Sequence, residues 1–256
     1  MKIDLLLIPF DARYDDVRDA AVAAEAAGFG GVWLWDHLSG AVHGQQHVLE
    51  CWTTLTSLAA QVPRLTVGSL VLNVANRHPD VLAVMASTLQ EVCGGRLLLG
   101  LGAGGGLDTP YAREQTAAGR PVGTDARRRK AVATTVAAIR SAWESPGYLR
   151  PVPPPPIVVG GFGPKMAALA GGVGDGFNTQ AGHPGLERLV DIARDAHRAR
   201  RGGAFEVSTF AGLSRRWLDP DGAERRRLAA VGVDRLILLV SPPVDAGIIA
   251  AAGRLG

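Results

Sequence analysis

Three stretches of the chain carry residue types that could do chemistry. The first is WLWDHL, residues 33–38, where Asp36 and His37 follow an apolar run. An imidazole gives or takes a proton near neutral pH, and a neighbouring carboxylate can set its tautomer or cap the next segment. The plainer alternative is that the pair satisfies loop backbone. The second is LGLGAGGGLDTP, residues 99–110, in which Gly100, Gly102 and Gly105 fit the G-x-G-x-x-G spacing of a dinucleotide-binding turn. The third is IVVGGFGPKMAALA, residues 157–170, a strand, a glycine-rich turn and a helix. Free N–H groups of Gly161, Phe162 and Gly163 at a positive helix end would make an anion site, with Lys165 as a nearby charge; the alternative is a plain tight turn.

Fainter signals lie between these. Ser69 and Asn73 interrupt an apolar strand, and the segment ending at Asn178 and Gln180 has polar residues at its carboxyl end. His43 and His47 suggest a metal, but no carboxylate stands at a recognised spacing from them, so no metal site is expected. Arg77-His78-Pro79 reads as a helix start, which is the plainer role for His78.

These segments need elements to position them. Short apolar runs alternate with segments of helical period, the pattern of β/α units around a parallel sheet. Strands are expected at residues 3–8, 31–35, 65–72, 97–101, 157–160, 176–179, 205–211 and 235–240. Most are continuously apolar, as strands buried on both faces should be. Helices are expected at 15–27, 50–61, 80–92, 125–143, 165–170, 186–201, 224–231 and 244–254, while residues 111–124 read as a polar loop. Eight such pairs in this length make an α/β chain of the (β/α)8 TIM-barrel class, one unit over residues 1–256. The active site of such a barrel lies at the carboxyl ends of the strands. A doubly wound sheet is the alternative. The Rossmann reading of the glycine run weakens here, because Asp108-Thr109-Pro110 breaks the chain where a helix should open. Bare glycines at a barrel mouth instead let a flat ring approach the backbone.

The bulk numbers exclude several classes. With 256 residues, 47% hydrophobic and 20% charged, the chain can build a sizeable core. A formal net charge of +3 gives no reason to expect nucleic acid or an anionic membrane as the main partner. Two cysteines make no disulfide framework, and the amino terminus lacks the long apolar region of a secretion signal, so a reducing cytoplasm is expected.

Taken in order, GVWLWDHL, ECWTTLTSLAAQVPRLTVGSLVLNVANRHP, GGRLLLGLGAG, IVVGGFGPKMAALA and GDGFN resemble the bacterial luciferase-like superfamily, and within it the coenzyme F420-dependent oxidoreductases. The resemblance implies a shortened luciferase-like TIM barrel holding the deazaflavin F420, or alternatively FMN, at its mouth. It implies that His37, with Asp36 beside it, lies near the reactive ring, and that the Ser69-Leu70 peptide, in the cis form, supports the ring's other face. Ala103, Gly104 and Gly105 would border the ring, Gly160, Gly161, Phe162 and Gly163 would hold the phosphate, and Gln180 would face the same mouth. Lys165 and the run from Arg127 to Lys130 are candidates to meet the acidic tail of F420. The implied activity is hydride transfer to or from a small-molecule substrate, with a homodimer as a compatible assembly. An FMN-dependent monooxygenase and a catalytically silent barrel are the rivals. Two departures bear on this: Gly105 and Gly106 stand where the family usually has a bulky or acidic residue, and the segment before Pro151 lacks a β-rich insertion.

Overall fold

The computed structural model describes residues 1–200, 202–243 and 245–253. Arg201, Val244 and Arg254, at which two of the expected helices begin or end, lie outside the described residues. The strands are β1 (Lys2–Leu7), β2 (Gly31–Leu34), β3 (Thr66–Ser69), β4 (Leu72–Asn73), β5 (Leu97–Gly102), β6 (Ile157–Gly160), β7 (Gly176–Gln180), β8 (Glu206–Gly212) and β9 (Arg235–Val240). The helices are α1 (Tyr14–Ala26), α2 (Cys51–Gln61), α3 (Pro79–Val92), α4 (Pro110–Ala117), α5 (Asp125–Glu144), α6 (Pro164–Val173), α7 (Leu186–Arg200), α8 (Arg215–Leu218), α9 (Ala223–Val231) and α10 (Ala246–Gly253).

All strand pairings are parallel, and β3 closes on β5 through Val67↔Leu97 and Gly68↔Leu98. β4 continues the third barrel strand after a break at Leu70 and Val71, so eight staves form a closed barrel inside a ring of helices. That break corrects two expectations. The strand expected at residues 65–72 is split, and the non-proline cis peptide lies at Leu70–Val71, one bond beyond the Ser69–Leu70 bond expected.

Alternation along β1 explains the continuous apolar runs. Leu5 and Leu7 belong to the large core between barrel and helices, while Leu6 and Ile8 belong to a second core inside the barrel with Trp33, Leu98 and Ile237. A strand buried on both faces has no polar phase to display. The amino-terminal floor of the barrel is ionic: Arg235, 1% exposed, bonds Asp4 and also Glu206 at 2.6 Å, and Trp33 Nε1 donates to Asp4 at 2.7 Å. Burial pushes the Asp4 carboxyl up despite Arg235 and Trp33.

Local chemistry sets the helix starts. Glu50 caps α2 by accepting from Trp52 and Thr53 N–H, and His78 caps α3, with Pro79 at the first position where its missing N–H costs nothing. Thr109 and Pro110 open α4 in the same way, turning residues 111–117 of the expected loop into a two-turn helix over the mouth, while residues 118–124 are the loop expected. No helix among the described residues is long and apolar enough to cross a membrane.

Candidate active site

Strand β2 ends at Leu34 and delivers Trp35, Asp36 and His37 to the carboxyl-terminal mouth. His37 is 8% exposed and sits among rings: Phe10 at 4.8 Å, Tyr111 stacked at 5.7 Å, and His43 edge-on at 4.4 Å between centroids. Its Nδ1 lies 3.2 Å from Oε2 of Glu114, on α4. The other Glu114 oxygen accepts from Leu38 N–H at 2.5 Å and Ser39 N–H at 2.8 Å. Burial alone would raise the Glu114 pKa, but the His37 bond and the two backbone N–H groups outweigh it, and the net shift is downward. A charged carboxylate facing Nδ1 favours the tautomer with its proton there, leaving the Nε2 lone pair for a ligand.

Asp36 does not fill the role expected of it. Its carboxylate, fully buried, takes a two-pronged bond from Arg77 at 2.8 and 2.9 Å and a third from Asn73 N–H at 3.0 Å. Arg77 also reaches Glu50 at 2.6 Å, so Asp36 ties the ends of β2, β4 and α2 together. The tautomer-setting carboxylate is Glu114, 77 residues along the chain from His37. Asn73 is placed by the same net, with its amide on Gln115 of α4 at 3.0 Å.

Ser69 is buried, its Oγ donating to Gly100 O at 2.9 Å and accepting from Gly100 N–H at 3.1 Å, so its side chain is spent joining β3 to β5. Leu70 lines the inner core beside the cis peptide. Ala103 and Gly104 carbonyls accept from Arg128 of α5 at 3.3 and 2.6 Å. Arg128, in the run expected to meet the acidic tail of F420, is instead bonded to the barrel mouth. Gly104 has φ +66° with Asn73 closely apposed, a conformation side chains rarely adopt. A Cβ on Gly105 would collide with Thr109 and Tyr111. Thr109, the cap of α4, and Tyr111 therefore fill the space a bulky side chain would take, and α4 supplies the acid the glycine run lacks.

At the carboxyl end of β6, Gly160 meets Gly161, Phe162 and Gly163 before α6. Gly161 N–H is not free as expected, since it donates to Asn178 O at 3.0 Å. Phe162 and Gly163 N–H have no backbone acceptor among the described residues, and the space a Cβ of Gly163 would enter is empty. Two unspent donors at a helix start beside open space fit a phosphate. Gln180 is exposed at the end of β7, while Asn178 is buried and bonded to Ser208 at 2.9 Å. A cleft of 560 Å³ opens at the opposite end of the barrel among Leu98, Trp143, Pro156 and Val158. Its Arg140 and Arg200 are paired with Asp175.

Sequence reasoning missed Glu114, Tyr111, Arg77 and the approach of His43. The signal for α4 was present: Thr109-Pro110 is a cap followed by a first-turn proline, and Thr109 Oγ1 accepts from Ala112 N–H at 3.3 Å.

Residues 5–237 match the family model described as luciferase-like monooxygenase. The F420-dependent glucose-6-phosphate dehydrogenase of Nakamurella multipartita is 31% identical over 199 residues, covering 70% of this chain and 57% of that protein. The 5,10-methylenetetrahydromethanopterin reductase of Archaeoglobus fulgidus is 29% identical over 262 residues, covering 95% and 72%. This chain therefore spans little more than half of the first relative's length. Among solved structures, an F420-dependent secondary alcohol dehydrogenase in complex with an F420-acetone adduct superposes with TM-score 0.84 over 100% of this chain and 98% of that one at 19% identity, a likeness of fold.

Proposed function

The chain belongs to the luciferase-like monooxygenase family, and from that premise we propose that it is a coenzyme F420-dependent oxidoreductase acting on a small organic substrate at the barrel mouth. The observation that carries the reading is His37, held at Nδ1 by Glu114 inside an aromatic surround, with no protein hydrogen bond to Nε2 among the described residues. The choice of F420 draws support from the relatives, named as F420-dependent enzymes acting on glucose 6-phosphate and, in Mycobacterium tuberculosis, on hydroxymycolic acid.

F420, when bound, supplies a deazaflavin carbon that exchanges hydride with the substrate. Phe162 and Gly163 N–H would hold its phosphate at the start of α6, and Ala103, Gly104 and the Leu70–Val71 peptide would flank its ring. His37 Nε2 holds the proton that accompanies hydride: it accepts one from a substrate hydroxyl in oxidation and returns it in reduction. Glu114 is the positioning residue, fixing the imidazole's tautomer and orientation. Asp36, Arg77 and Glu50 hold the loops that carry them.

FMN, the alternative cofactor, would use the same phosphate donors. The monooxygenases of this fold are distant, such as one from Streptomyces bottropensis at 18% identity and TM-score 0.75, and their likeness concerns fold alone. A silent barrel is disfavoured by the buried acid that α4 returns to His37. The reading is tested by following deazaflavin absorbance with the apoprotein, F420 in either redox state, and a panel of alcohols and unsaturated acceptors. Turnover that disappears in His37→Ala, with F420 affinity retained, is the expected result. Binding of F420 without turnover of any partner would favour the silent barrel.

A further inference from the structure

His43 is not needed by the chemistry above, yet it is placed with care. It closes the one-turn 3-10 helix Ala41–His43, its ring packs against Phe10 at 5.1 Å and Tyr111 at 5.5 Å, and its Nε2 is buried with no hydrogen-bond partner among the described residues. Buried polar atoms are rarely left unpaired, so an orphan nitrogen aimed into a polar cluster indicates a missing partner. That cluster is His37 and Glu114. One ring nitrogen from each histidine and one oxygen of Glu114 all lie within 4.8 Å of each other.

We propose that His37, His43 and Glu114 form a binding site for one divalent transition ion of the zinc class, open to the barrel mouth on its remaining side. Two imidazoles and a carboxylate are a zinc donor set, and three protein ligands with a free position is the usual arrangement where the ion can meet a small molecule. Donors about 2.0–2.1 Å from a tetrahedral ion stand roughly 3.4 Å apart. Oε2 of Glu114 lies 3.2 Å from His37 Nδ1 and its Oε1 lies 3.7 Å from His43 Nε2, while one ligand atom from each residue fits within 4.8 Å, so the three side chains would draw together around the ion. The outer support is in place: Leu38 and Ser39 N–H orient the carboxylate, and Phe10 and Tyr111 wall both imidazoles. Sequence spacing hid the site because its carboxylate comes from α4, on the far side of the barrel closure. The ion would take the place of the direct His37–Glu114 contact and shift the His37 proton from Nδ1 to Nε2, so the metal-loaded form is distinct from the form in which Nε2 accepts a proton, and the site stands whether or not F420 is the cofactor.

The test is direct binding to the chelator-stripped full chain without F420. Zn²⁺ affinity is read by competition with a chromophoric chelator, and Co²⁺ serves as a spectroscopic probe whose visible absorption strengthens in four-coordinate sites. One ion per chain is expected, with an intense Co²⁺ spectrum. His43→Ala, which removes no hydrogen bond, should weaken Zn²⁺ by more than the roughly 10–100-fold that loss of a supporting group costs, while His47→Ala binds as the parent does. Should His43→Ala fail to fold, Glu114→Gln keeps a carbonyl for Leu38 and Ser39 N–H and should show the same loss. Zn²⁺ binding no tighter in the parent than in either variant would overturn the proposal, as would a Co²⁺ spectrum of the six-coordinate aquo type.

Discussion

Replacing Glu114 by Gln should invert the tautomer of His37 while leaving the mouth packed. The parent carboxylate uses Oε1 for Leu38 and Ser39 N–H and Oε2 for His37 Nδ1. A glutamine can keep its carbonyl on the two backbone donors, which places its NH₂ against Nδ1. The imidazole must then accept at Nδ1 and carry its proton on Nε2, where the parent has a lone pair. A hydrogen bond to a charged group contributes about 1.5–3 kcal/mol, a preference of roughly 10–150-fold for the Nδ1–H form in the parent. In the variant that preference changes sign. Nitrogen-15 NMR of the imidazole in the chelator-stripped protein reads the tautomer without a substrate: Nδ1 should appear protonated in the parent and Nε2 in the variant. Turnover, once a substrate is in hand, should fall by about 10²–10⁴-fold, the range for a mispositioned acid or base, with F420 affinity little changed. A variant whose His37 keeps its proton on Nδ1, or whose turnover matches the parent, would refute the role given to Glu114.

Other consequences follow from the same geometry. Gly163 has extended backbone at φ −137° and empty space at its Cβ position, so Gly163→Asp should fold normally yet lose F420 affinity at least about tenfold by placing a charge against the phosphate; unchanged affinity in a binding titration would move the phosphate elsewhere. Arg77→Ala strands the fully buried Asp36 and should cost about 3–5 kcal/mol in urea denaturation, whereas a loss below about 1 kcal/mol would show that the Asp36 net is not structural. Acid should destabilise the barrel floor through Glu206. Burial would raise its pKa, but Arg235 and Lys2 outweigh that and hold it below the usual value. A depressed folded pKa means stability fully present above the unfolded value, about 4.3, and lost as pH falls through the folded one. Glu206→Gln should therefore show a shallower fall of Tm between about pH 5 and pH 3 than the parent, and parallel curves would contradict the assignment.

The barrel was legible because each stave is a short apolar run bounded by polar residues, and periodicity needs only neighbours in sequence. Seven staves lie within a residue or two of the expected bounds. The exception, residues 65–72, breaks at Leu70 and Val71, where backbone geometry rather than hydropathy decides. At the site, Asp36 and His37 were visible as the end of a strand, but their partners were not. Arg77 and Glu114 reach them from 41 and 77 residues away, across the curvature of the closed sheet, and no spacing rule encodes such contacts. The aspartate adjacent in sequence was the natural choice to orient His37, yet its carboxylate is spent on Arg77. The helix that carries Glu114 has the composition of a loop, polar over a short span, although Thr109-Pro110 marks its start. The free N–H groups expected after β6 were partly consumed, Gly161 by Asn178, a pairing visible only once β6 and β7 lie side by side.

Cofactor choice is the centre of the account, and an equilibrium titration of the apoprotein with F420 and with FMN, at low and moderate salt, measures it most directly. Tighter binding of F420 at both salt concentrations is predicted. Part of its affinity should be lost as salt screens the contacts that exposed cations such as Lys165 make with its acidic tail. Tighter binding of FMN under both conditions, or no binding of either molecule, would contradict it.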